Sequence, residues 1–358
     1  MPSDGLAMDR RPVTALAWLL SGATGVAIVV LAARQIITQG EHQFFASGDP
    51  RFFFLTTREL FGTGHGFLAL GAAADIPYRY GRMGLPLLGW LLAFGRPGLV
   101  GWTLIGVNLA ALTAIPGLAA LLLAEHRGAP VGAAFILVLP PYVLLYGSVV
   151  SDPLLIALLL LAYLLDARDH RRSALVVVAY AILVKEVAVL ALLPLVWRAV
   201  RERDRRMTLA VASTLVPYAA WCVWLRWRVG TLPFFAPTES RKGAMGLPFA
   251  GFRHVLLQRP ADSAVILVMT TAVIVLGAAG AWAARGNQIG GLAAIYTLMT
   301  VCLGPRGLRF IGEVPRVLLL PEVFGLLALI IGLRNVLPQP AALEDPVDHG
   351  LFVGMQDL

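Results

Sequence analysis

The stretch SALVVVAYAILVKEVAVLALLPLVW (173–197) is apolar throughout except for one charged pair near its centre, Lys185 and Glu186. A charge at membrane depth is costly, so it is rare and by default marks a functional site. Adjacent residues project from different sides of a helix, which means that these two side chains pair poorly with each other. Each therefore needs another partner, and an anionic substrate is a candidate partner for Lys185.

The composition indicates a membrane protein. Hydrophobic residues make up 58% of the 358-residue chain, charged residues 14%, and the mean hydropathy is +0.77, which is typical of a polytopic membrane protein and not of a soluble domain. The net charge of +8 is therefore assigned to lipid phosphates and membrane topology, and no nucleic-acid partner is expected. The two cysteines, Cys222 and Cys302, fall in apolar spans and form no metal motif.

Arginine clusters flank the 173–197 stretch on both sides. One cluster precedes it (Arg168, Arg171, Arg172) and a denser one follows it (Arg198, Arg201, Arg203, Arg205, Arg206). Because Lys and Arg in short loops stay on the cytoplasmic side, both ends are expected inside, which makes the stretch a hairpin with Lys185–Glu186 at its turn. Each arm is only roughly 18 Å long, too short to span lipid alone, so neighbouring helices must shelter it and the turn must line a cavity.

Extending this topology outward predicts an all-α polytopic membrane protein with about ten membrane segments. The segments are 13–33, 97–124, 128–150, 153–166, the two hairpin arms, 207–228, 262–285, 288–304 and 317–336. They form a single domain over 1–338, with a cytoplasmic N-terminus and a cytoplasmic tail at 339–358. The extracytoplasmic loops are 34–96, 229–261 and 305–316, and the first carries interfacial helices, including one at 84–95. This arrangement places slightly more basic residues outside than inside, so either the topology is partly wrong or the external face binds an anion.

Asp49 stands out in FFASGDPRFFFLTTRELFG (44–62), just beyond the first membrane segment and on a predicted loop. The surrounding phenylalanines would hold this loop at the membrane interface, where burial raises the pKa of a carboxylate toward that of a useful base. The alternative is an ordinary Asp-Pro turn.

Basic residues follow at two further places. Arg79 and Arg82 lie in IPYRYGRMGLPLLGW (76–90), where they form either a phosphate clamp or an arginine and aromatic belt at the membrane surface. The last external loop carries Glu313 and three arginines, Arg306, Arg309 and Arg316. The arginines either snorkel to the interface or bind an anion.

Asp152, in YGSVVSDPLL (146–155), is a further candidate functional residue at the start of a predicted membrane helix. The alternative is that it only caps the N-terminus of that helix.

Taken together, these elements resemble the GT-C superfamily, polytopic glycosyltransferases that use polyprenyl-phosphate-linked sugars. Its members include protein O-mannosyltransferases, the aminoarabinose transferase of lipid A and the second mannosyltransferase of GPI-anchor assembly. The shared features are the first-loop acid, the YRYGRMGLPLLGW element, the acid at 152, the LVKEVAVLALLPL turn and RFIGEVPRVLLLPEVFGLLAL before the last helix. Two departures are Pro50, which follows Asp49 where many members have a second acid, and the missing threonine in LVKE.

The resemblance implies roles for particular residues. Asp49 would be the catalytic base, Asp152 would position the acceptor, and Glu186 is a second acidic residue without an assigned partner. Five cations would bind the donor phosphate: Lys185, Arg309, Arg316, Arg79 and Arg82. The sequence shows no metal-ligand spacing, and assistance by a divalent cation stays open.

The implied reaction transfers a sugar from a polyprenyl-phosphate donor to a hydroxyl of a lipid, glycan or protein acceptor by a single inverting displacement. The expected location is the extracytoplasmic face of a bacterial plasma membrane. The main alternative is a transporter or flippase of anionic lipid-linked intermediates, which needs the same cations but not Asp49 as a base. A non-catalytic membrane scaffold is a third possibility, and it leaves Lys185–Glu186 unexplained.

Overall fold

The structure is a computed structural model that describes residues 11–45, 48–58, 79–139, 142, 145, 147–233, 243–258, 262–308 and 314–336. Regular structure in these residues is helical, apart from one isolated β-bridge between Met245 and Leu303. In chain order the α-helices are α1 (Arg11–Gln39), α2 (Gly48–Arg58), α3 (Gly84–Leu92), α4 (Val100–Glu125), α5 (Ser151–Ala167), α6 (Arg171–Val184), α7 (Leu192–Arg201), α8 (Arg205–Ser213), α9 (Val216–Val229), α10 (Ala250–Gln258), α11 (Ser263–Ala283), α12 (Gln288–Val301) and α13 (Val314–Val336). The 3₁₀ helices are Glu41–Phe45, Pro97–Leu99, Pro130–Val138 and Glu186–Ala191.

Five helical stretches among the described residues are long and apolar enough to cross a bilayer: Arg11–Gln39, Pro97–Glu125, Arg205–Arg228, Ser263–Ala283 and Val314–Arg334. Three of them, Arg11–Gln39, Arg205–Arg228 and Ser263–Ala283, leave most of their apolar residues unburied. On α1, for example, Trp18, Val26 and Ile37 are 74%, 68% and 83% exposed. Lipid tails are the environment in which such a surface is stable. The chain is therefore an integral membrane protein of helical type, whereas the predicted total of about ten segments is not reached by these criteria.

The predicted segment at 128–150 is not one continuous α-helix. The structure has a 3₁₀ helix at Pro130–Val138, after which the backbone at Leu139 is extended. Proline has no backbone N–H to donate and clashes with the preceding turn, and the sequence carries prolines at positions 130, 140 and 141. The residue before a proline favours extended backbone, as Leu139 shows, so the α-helix cannot run on through this position.

The predicted membrane segment at 207–228 is confirmed within the span Arg205–Arg228, but its helix is interrupted. It consists of α8 and α9, which are separated at Thr214–Leu215. Pro217 explains the break, because it cannot donate to the carbonyl of Ser213 one turn earlier. The predicted first external loop, 34–96, does carry helices, α2 and α3, and α3 buries Gly84, Leu85, Pro86 and Gly89 against its neighbours.

Two ion pairs along α5 define the path of the 173–197 stretch. Lys185 contacts Asp152 in the first turn of α5, and Arg198 contacts Asp166 in its last turn. About 21 Å of helix separates Asp152 from Asp166. The chain therefore runs along α5 in one direction as α6, reverses at Lys185–Glu186, and returns as the 3₁₀ helix and α7, which places both arginine clusters at the same end of the protein.

The helices pack in two groups that meet around this hairpin. The first is a row in which α4 packs against α1 and α5, and α5 against α6; the second consists of α11, α12 and α13. Helix α13 contacts α4 and α5, and α12 contacts α7 and the 3₁₀ turn at 186–191. The hairpin turn therefore lies where the two groups join, beside the start of α13.

Candidate functional site

Seven charged side chains from separate parts of the chain converge beside the hairpin turn. They are Asp49 in the first turn of α2, Arg79 and Arg82 just before α3, Asp152 in the first turn of α5, Lys185 and Glu186 at the turn, and Arg316 in the first turn of α13. Each carboxylate is paired with at least one cation, as membrane burial requires.

Asp49 is held between two arginines. Its Oδ1 accepts a hydrogen bond from Arg79 Nη1 at 2.7 Å and its Oδ2 accepts one from Arg316 Nη2 at 2.8 Å. Arg82 Nη1 lies 3.6 Å from the same Oδ2. The guanidinium of Arg79 also lies over the ring of Phe52, 4.5 Å from its centroid, in a cation–π contact. Asp49 thus belongs to a helix, not to the loop that the sequence predicted.

Asp152 lies beneath these residues and joins Lys185 to Arg316. Lys185 Nζ donates to Asp152 Oδ1 at 2.5 Å, and Arg316 donates to Oδ2 through Nε and Nη2, both at 3.3 Å. Asp152 is only 1% exposed. The resemblance implied that Asp152 positions the acceptor, but a carboxylate this deeply buried cannot touch a molecule in the cavity directly. Asp152 affects the site through Lys185 and Arg316, the two cations that it holds.

Arg82 and Glu186 form a two-point ion pair. Arg82 Nε donates to Glu186 Oε2 at 3.1 Å, and Nη2 donates to Oε1 at 3.0 Å. A guanidinium fork matched to a carboxylate combines two parallel charge-assisted hydrogen bonds, which adds directional specificity. Glu186, for which the sequence indicated no partner, thus has Arg82.

The Arg79–Gly84 segment is attached to the hairpin by its backbone. Tyr180 of α6 donates through its hydroxyl to the carbonyl of Gly84 at 2.7 Å, and Trp221 of α9 donates through Nε1 to the carbonyl of Tyr80 at 2.7 Å. Gly84 lies so close to α6 that a Cβ there would be 2.6 Å from the backbone nitrogen of Val184. This close approach brings Arg82 within reach of Glu186.

A cavity of about 390 Å³ opens above these residues. Its charged lining comprises Asp49, Arg79, Arg82, Lys185, Glu186, Arg306 and Arg316. The rest of its lining, called the apolar wall below, is mainly apolar and consists of Val187, Leu190, Ala244, Met245, Met299, Leu303, Gly307, Val317 and Leu320. A cavity whose lining combines a cluster of cations with apolar side chains suits a ligand with an anionic group attached to an apolar chain.

The expectation that burial raises the pKa of Asp49 is wrong. Burial alone would raise the pKa of the Asp49 carboxyl, but the guanidiniums of Arg316, Arg82 and Arg79 outweigh burial and hold that pKa well below its usual range. The sequence could not reveal this, because Arg316 lies 267 residues away. Asp49 is therefore ionised in the site.

The predicted site residues that the structure describes come together, and Arg309 lies outside the described residues. Asp152 is in contact with Lys185 and Arg316 but is buried and is not among the residues that line the cavity. Arg306, which the sequence placed only in the general loop, lines the cavity directly. The apolar wall was not predicted, because its residues are ordinary hydrophobic positions with no distinguishing signal in the sequence.

A second ionic cluster lies at the opposite end of α5. Arg198 donates to both oxygens of Asp166 at 2.7 and 2.8 Å, and Arg168 Nε donates to Glu125 Oε1 at 2.7 Å. These pairs tie the ends of α4, α5 and α7 together and line no described cavity, so we assign them a structural role. Across the described part of the chain, no group of three or more His, Cys, Asp or Glu side chains could hold a metal ion.

Comparisons with protein-family models, with curated proteins and with solved structures found no match to this chain.

Proposed function

We propose that the protein is a membrane glycosyltransferase of the GT-C type, which moves a sugar from a polyprenyl-phosphate-linked donor to an acceptor hydroxyl on the extracytoplasmic face. The observation that carries this proposal is the convergence of Asp49 with cations from four separate segments on one cavity that also has an apolar wall. A transferase with a lipid-linked donor needs these three things in one place: a carboxylate, a phosphate-binding surface and room for a lipid chain.

The donor would bind through its phosphate at Arg316, Arg82 and Lys185, with Arg79 beside them. All four belong to ion pairs with carboxylates, so the phosphate would enter by partner exchange and not by filling an empty place. Exchange conserves charge pairing at each step, which avoids leaving a desolvated cation without a counter-ion. The first units of the lipid chain would follow the apolar wall toward the surrounding bilayer.

Partner exchange also supplies the activation of Asp49. While Arg316 and Arg82 face Asp49, its carboxylate is a weak base. When the donor phosphate draws these guanidiniums toward itself, the basicity of Asp49 rises and it can accept the acceptor's hydroxyl proton. The base is thereby switched on by the presence of donor, which limits unproductive proton transfer in the unloaded enzyme.

The reaction is a single displacement. The acceptor oxygen attacks the anomeric carbon as its proton passes to Asp49, a new C–O bond forms, and the bond between the anomeric carbon and the phosphate oxygen breaks. The electron pair of the broken bond stays on the polyprenyl phosphate, whose growing negative charge is stabilised by the surrounding cations. One displacement inverts the configuration at the anomeric carbon.

The test is a transfer assay with the purified full-length chain in proteoliposomes. Polyprenyl-phosphate donors that carry radiolabelled hexose or aminopentose are supplied together with membrane extract as the acceptor source. The wild-type chain is expected to move the label from the donor to another product and to release polyprenyl phosphate in equal amount. Asp49→Asn is expected to abolish transfer and to retain donor binding.

Asp169→Asn provides the matched control, because Asp169 is a fully exposed carboxylate at the opposite end of the bundle, with its side chain 90% exposed. Equal sugar transfer by the wild type and Asp49→Asn would show that Asp49 is not the catalytic base. If intact donor instead moves across the bilayer and no polyprenyl phosphate is released, the glycosyltransferase proposal is refuted and the flippase alternative is favoured.

A further inference from the structure

Glu322 is a buried carboxyl in the middle of α13 that the proposed reaction does not use. It is 7% exposed, and its Oε2 is buried without a hydrogen-bond partner among the described residues. It belongs to the membrane span Val314–Arg334 and lies roughly 12 Å from the cavity end of that span and roughly 18 Å from the other end. Glu322 is therefore well inside a hydrocarbon layer of about 30 Å.

The neighbours of Glu322 along α13 are apolar. Residues one turn apart share a face of a helix, so Leu318 and Leu326 lie above and below it. Leu318 is fully buried, and Leu326 packs against the main hydrophobic core. Arg316, the nearest other charged residue of α13, is roughly 9 Å away along the helix axis and is paired with two carboxylates of the cavity site. The helix itself therefore gives Glu322 no counter-ion.

The main elements packed against α13 do not supply a counter-ion either. They are α4, α5, α11, α12 and the 3₁₀ helix Pro130–Val138. Helices α11 and α12 and this 3₁₀ helix contain no Asp, Glu, Lys, Arg or His. The charged residues of α4 and α5 lie at helix ends and are paired, Glu125 with Arg168, Asp152 with Lys185 and Arg316, and Asp166 with Arg198. The other titratable side chains on these elements are the phenols of Tyr163 and Tyr296.

An ionised carboxylate is unstable in such surroundings. Burial of an unpaired carboxylate costs so much free energy that the group instead takes up a proton and becomes neutral. An ionised carboxylate also has about four positions for hydrogen-bond donors, whereas Oε2 of Glu322 receives no donor from the described residues. Acids at membrane depth are rare, and by default they mark functional sites such as proton relays.

We propose that Glu322 is a proton-binding site within the membrane and that it is a neutral carboxylic acid at pH 7. The proposal is independent of sugar transfer, because Glu322 does not share the face of α13 that lines the cavity. A helix turns by about 100° per residue, so Glu322 points about 140° away from Val317 and about 160° away from Leu320, both of which line the cavity.

Pro321 adds a second reason for the protonated form. A proline cannot donate to the carbonyl four residues earlier, here that of Val317, so α13 lacks one backbone hydrogen bond in this turn. Backbone groups freed by proline in a membrane helix are satisfied by nearby side chains or ordered water. A protonated Glu322 brings an O–H donor to this turn, whereas an ionised one would bring acceptors alone.

The first measurement is covalent labelling of the full chain in nanodiscs at pH 7 with dicyclohexylcarbodiimide, an apolar reagent that enters the bilayer. The carboxyl oxygen bonds to the central carbon of the reagent, one C=N bond becomes a single bond, and the carboxyl proton moves to that nitrogen. Nothing leaves, and the adduct rearranges to an acylurea of the same mass. The tryptic peptide Val317–Arg334 has one carboxyl side chain, that of Glu322, so its mass assigns the label.

We expect this peptide to carry the label in the wild type and to lose it in Glu322→Gln. Glutamine copies the shape of a neutral carboxyl, so this variant is expected to fold and to unfold at the same temperature as the wild type. Glu125→Gln is the matched control, because Glu125 ends a membrane helix but is paired with Arg168. The control should keep the label on Glu322. A water-soluble carbodiimide should not label Glu322, because that reagent stays in the aqueous phase.

Infrared difference spectroscopy provides an independent readout of the proton. The C=O stretch of a carboxylic acid is distinct from the two stretches of a carboxylate. In the difference between the wild type and Glu322→Gln at pH 7, we expect the band of a carboxylic acid to be lost and to shift in D₂O. The difference between the wild type and Glu125→Gln should instead show the loss of carboxylate bands.

Two results would overturn the inference: an unlabelled Glu322 peptide, or carboxylate bands in the Glu322→Gln difference spectrum. Labelling of Glu322 by the water-soluble reagent at the same rate as by the apolar one would also refute it, because the carboxyl would then be in contact with water. Neither measurement uses a sugar donor. A protonated Glu322 in a chain that transfers no sugar would refute the glycosyltransferase alone, so the two proposals can fail separately.

Discussion

Arg82 and Glu186, which are 104 residues apart in sequence, form a two-point ion pair with N–O distances of 3.0 and 3.1 Å. The pair attaches the segment before α3 to the turn of the buried hairpin. Arg82 also lies 3.6 Å from Asp49, so it links the hairpin turn to α2 as well. This relationship explains why an acidic residue follows Lys185 in an otherwise apolar stretch.

The geometry of this pair predicts that Arg82→Lys will be destabilising although it preserves the charge. A lysine ammonium is a point donor and cannot make the two parallel bonds of a guanidinium. We expect the loss of one charge-assisted hydrogen bond to cost about 1–3 kcal/mol, measured as the free energy of unfolding in detergent. Arg171→Lys, at a partly exposed position with a 4.0 Å contact to Asp169, is the control. Equal stability of Arg82→Lys and the wild type would show that the two parallel hydrogen bonds from Arg82 to Glu186 do not stabilise the protein.

Asp152 is predicted to be the carboxylate whose removal costs most. Its neutralisation in Asp152→Asn removes the buried counter-ion of Lys185 and one of the two carboxylates that contact Arg316, which keeps Asp49. Breaking a buried pair from one side costs about 3–5 kcal/mol, whereas the exposed control Asp169→Asn should change stability by less than about 0.5 kcal/mol.

A double-mutant cycle separates the pair from its surroundings. Asp152→Asn combined with Lys185→Gln should cost clearly less than the sum of the two single changes, because the double variant leaves no unpaired ammonium. Additive costs in thermal unfolding would show that the two side chains do not interact.

The lowered pKa of Asp49 predicts how its contribution to stability depends on pH. The carboxylate is ionised in the folded protein well below its unfolded pKa of about 3.9, so its ion pairs contribute fully above that pH. As the pH falls below about 4, the unfolded chain binds a proton that the folded chain does not, and the contribution is lost. The measurement is the free energy of unfolding of the wild type and of Asp49→Asn from pH 3 to pH 8.

We expect the difference between these two proteins to be constant from about pH 5 to pH 8 and to shrink only in more acidic solution. A difference that instead changes near pH 6 or 7 would mean that Asp49 titrates there, as an isolated buried carboxylate would, and that the three arginines do not control it.

Gly84→Ala tests how closely the Arg79–Gly84 segment must approach α6. The added methyl would lie 2.6 Å from the nitrogen and 2.8 Å from the Cα of Val184, and backbone atoms cannot move aside cheaply. We expect a loss of about 1–3 kcal/mol in the free energy of unfolding, together with weaker lipid phosphate binding.

Gly22→Ala is the matched control for this change. Gly22 is exposed on α1 with no atom within 4 Å of the added Cβ, so alanine there should be neutral or stabilising by about 0.5–1 kcal/mol through helix propensity. Similar behaviour of the two variants would show that the Gly84 contact does not constrain the site.

The proposed topology predicts that the two ends of α5 face opposite sides of the membrane. The test uses a Cys222→Ser, Cys302→Ser background with one new cysteine at a time. Glu202→Cys lies at the Arg198 end of α5, and Leu247→Cys lies in the segment 243–251 beside the cavity, where Leu247 is 80% exposed. A membrane-impermeant thiol reagent applied to intact cells should label position 247 and not position 202. Labelling of both, or of 202 alone, would refute the extracytoplasmic placement of the cavity.

Several features of the fold were predictable from local sequence. Apolar length predicted α1, α4, α11 and α13, because a helix that satisfies its own backbone needs only a sufficient run of apolar residues to be stable in lipid. The flanking arginines and the central charges predicted the reversal at Lys185–Glu186. Prolines limited this reasoning at 128–150 and at Pro217, where hydropathy alone suggested longer helices than the backbone hydrogen bonds allow.

The sequence by itself determined which residue types were anomalous: a lysine and a glutamate in an apolar hairpin, an acid after the first membrane helix, and arginines before the last one. Only the tertiary structure decided which carboxylate pairs with which cation, and therefore that Asp49 has a lowered pKa. It also decided that Asp152 lies behind the cavity and that Arg306 lines it. The physical reason is the sequence separation over which each interaction acts. Apolar periodicity and charge cost act along a few turns of chain, whereas the ion pairs that set the charge of the site join residues as far apart as 267 positions, and their energy exists only after α2, α5, α6 and α13 have packed together.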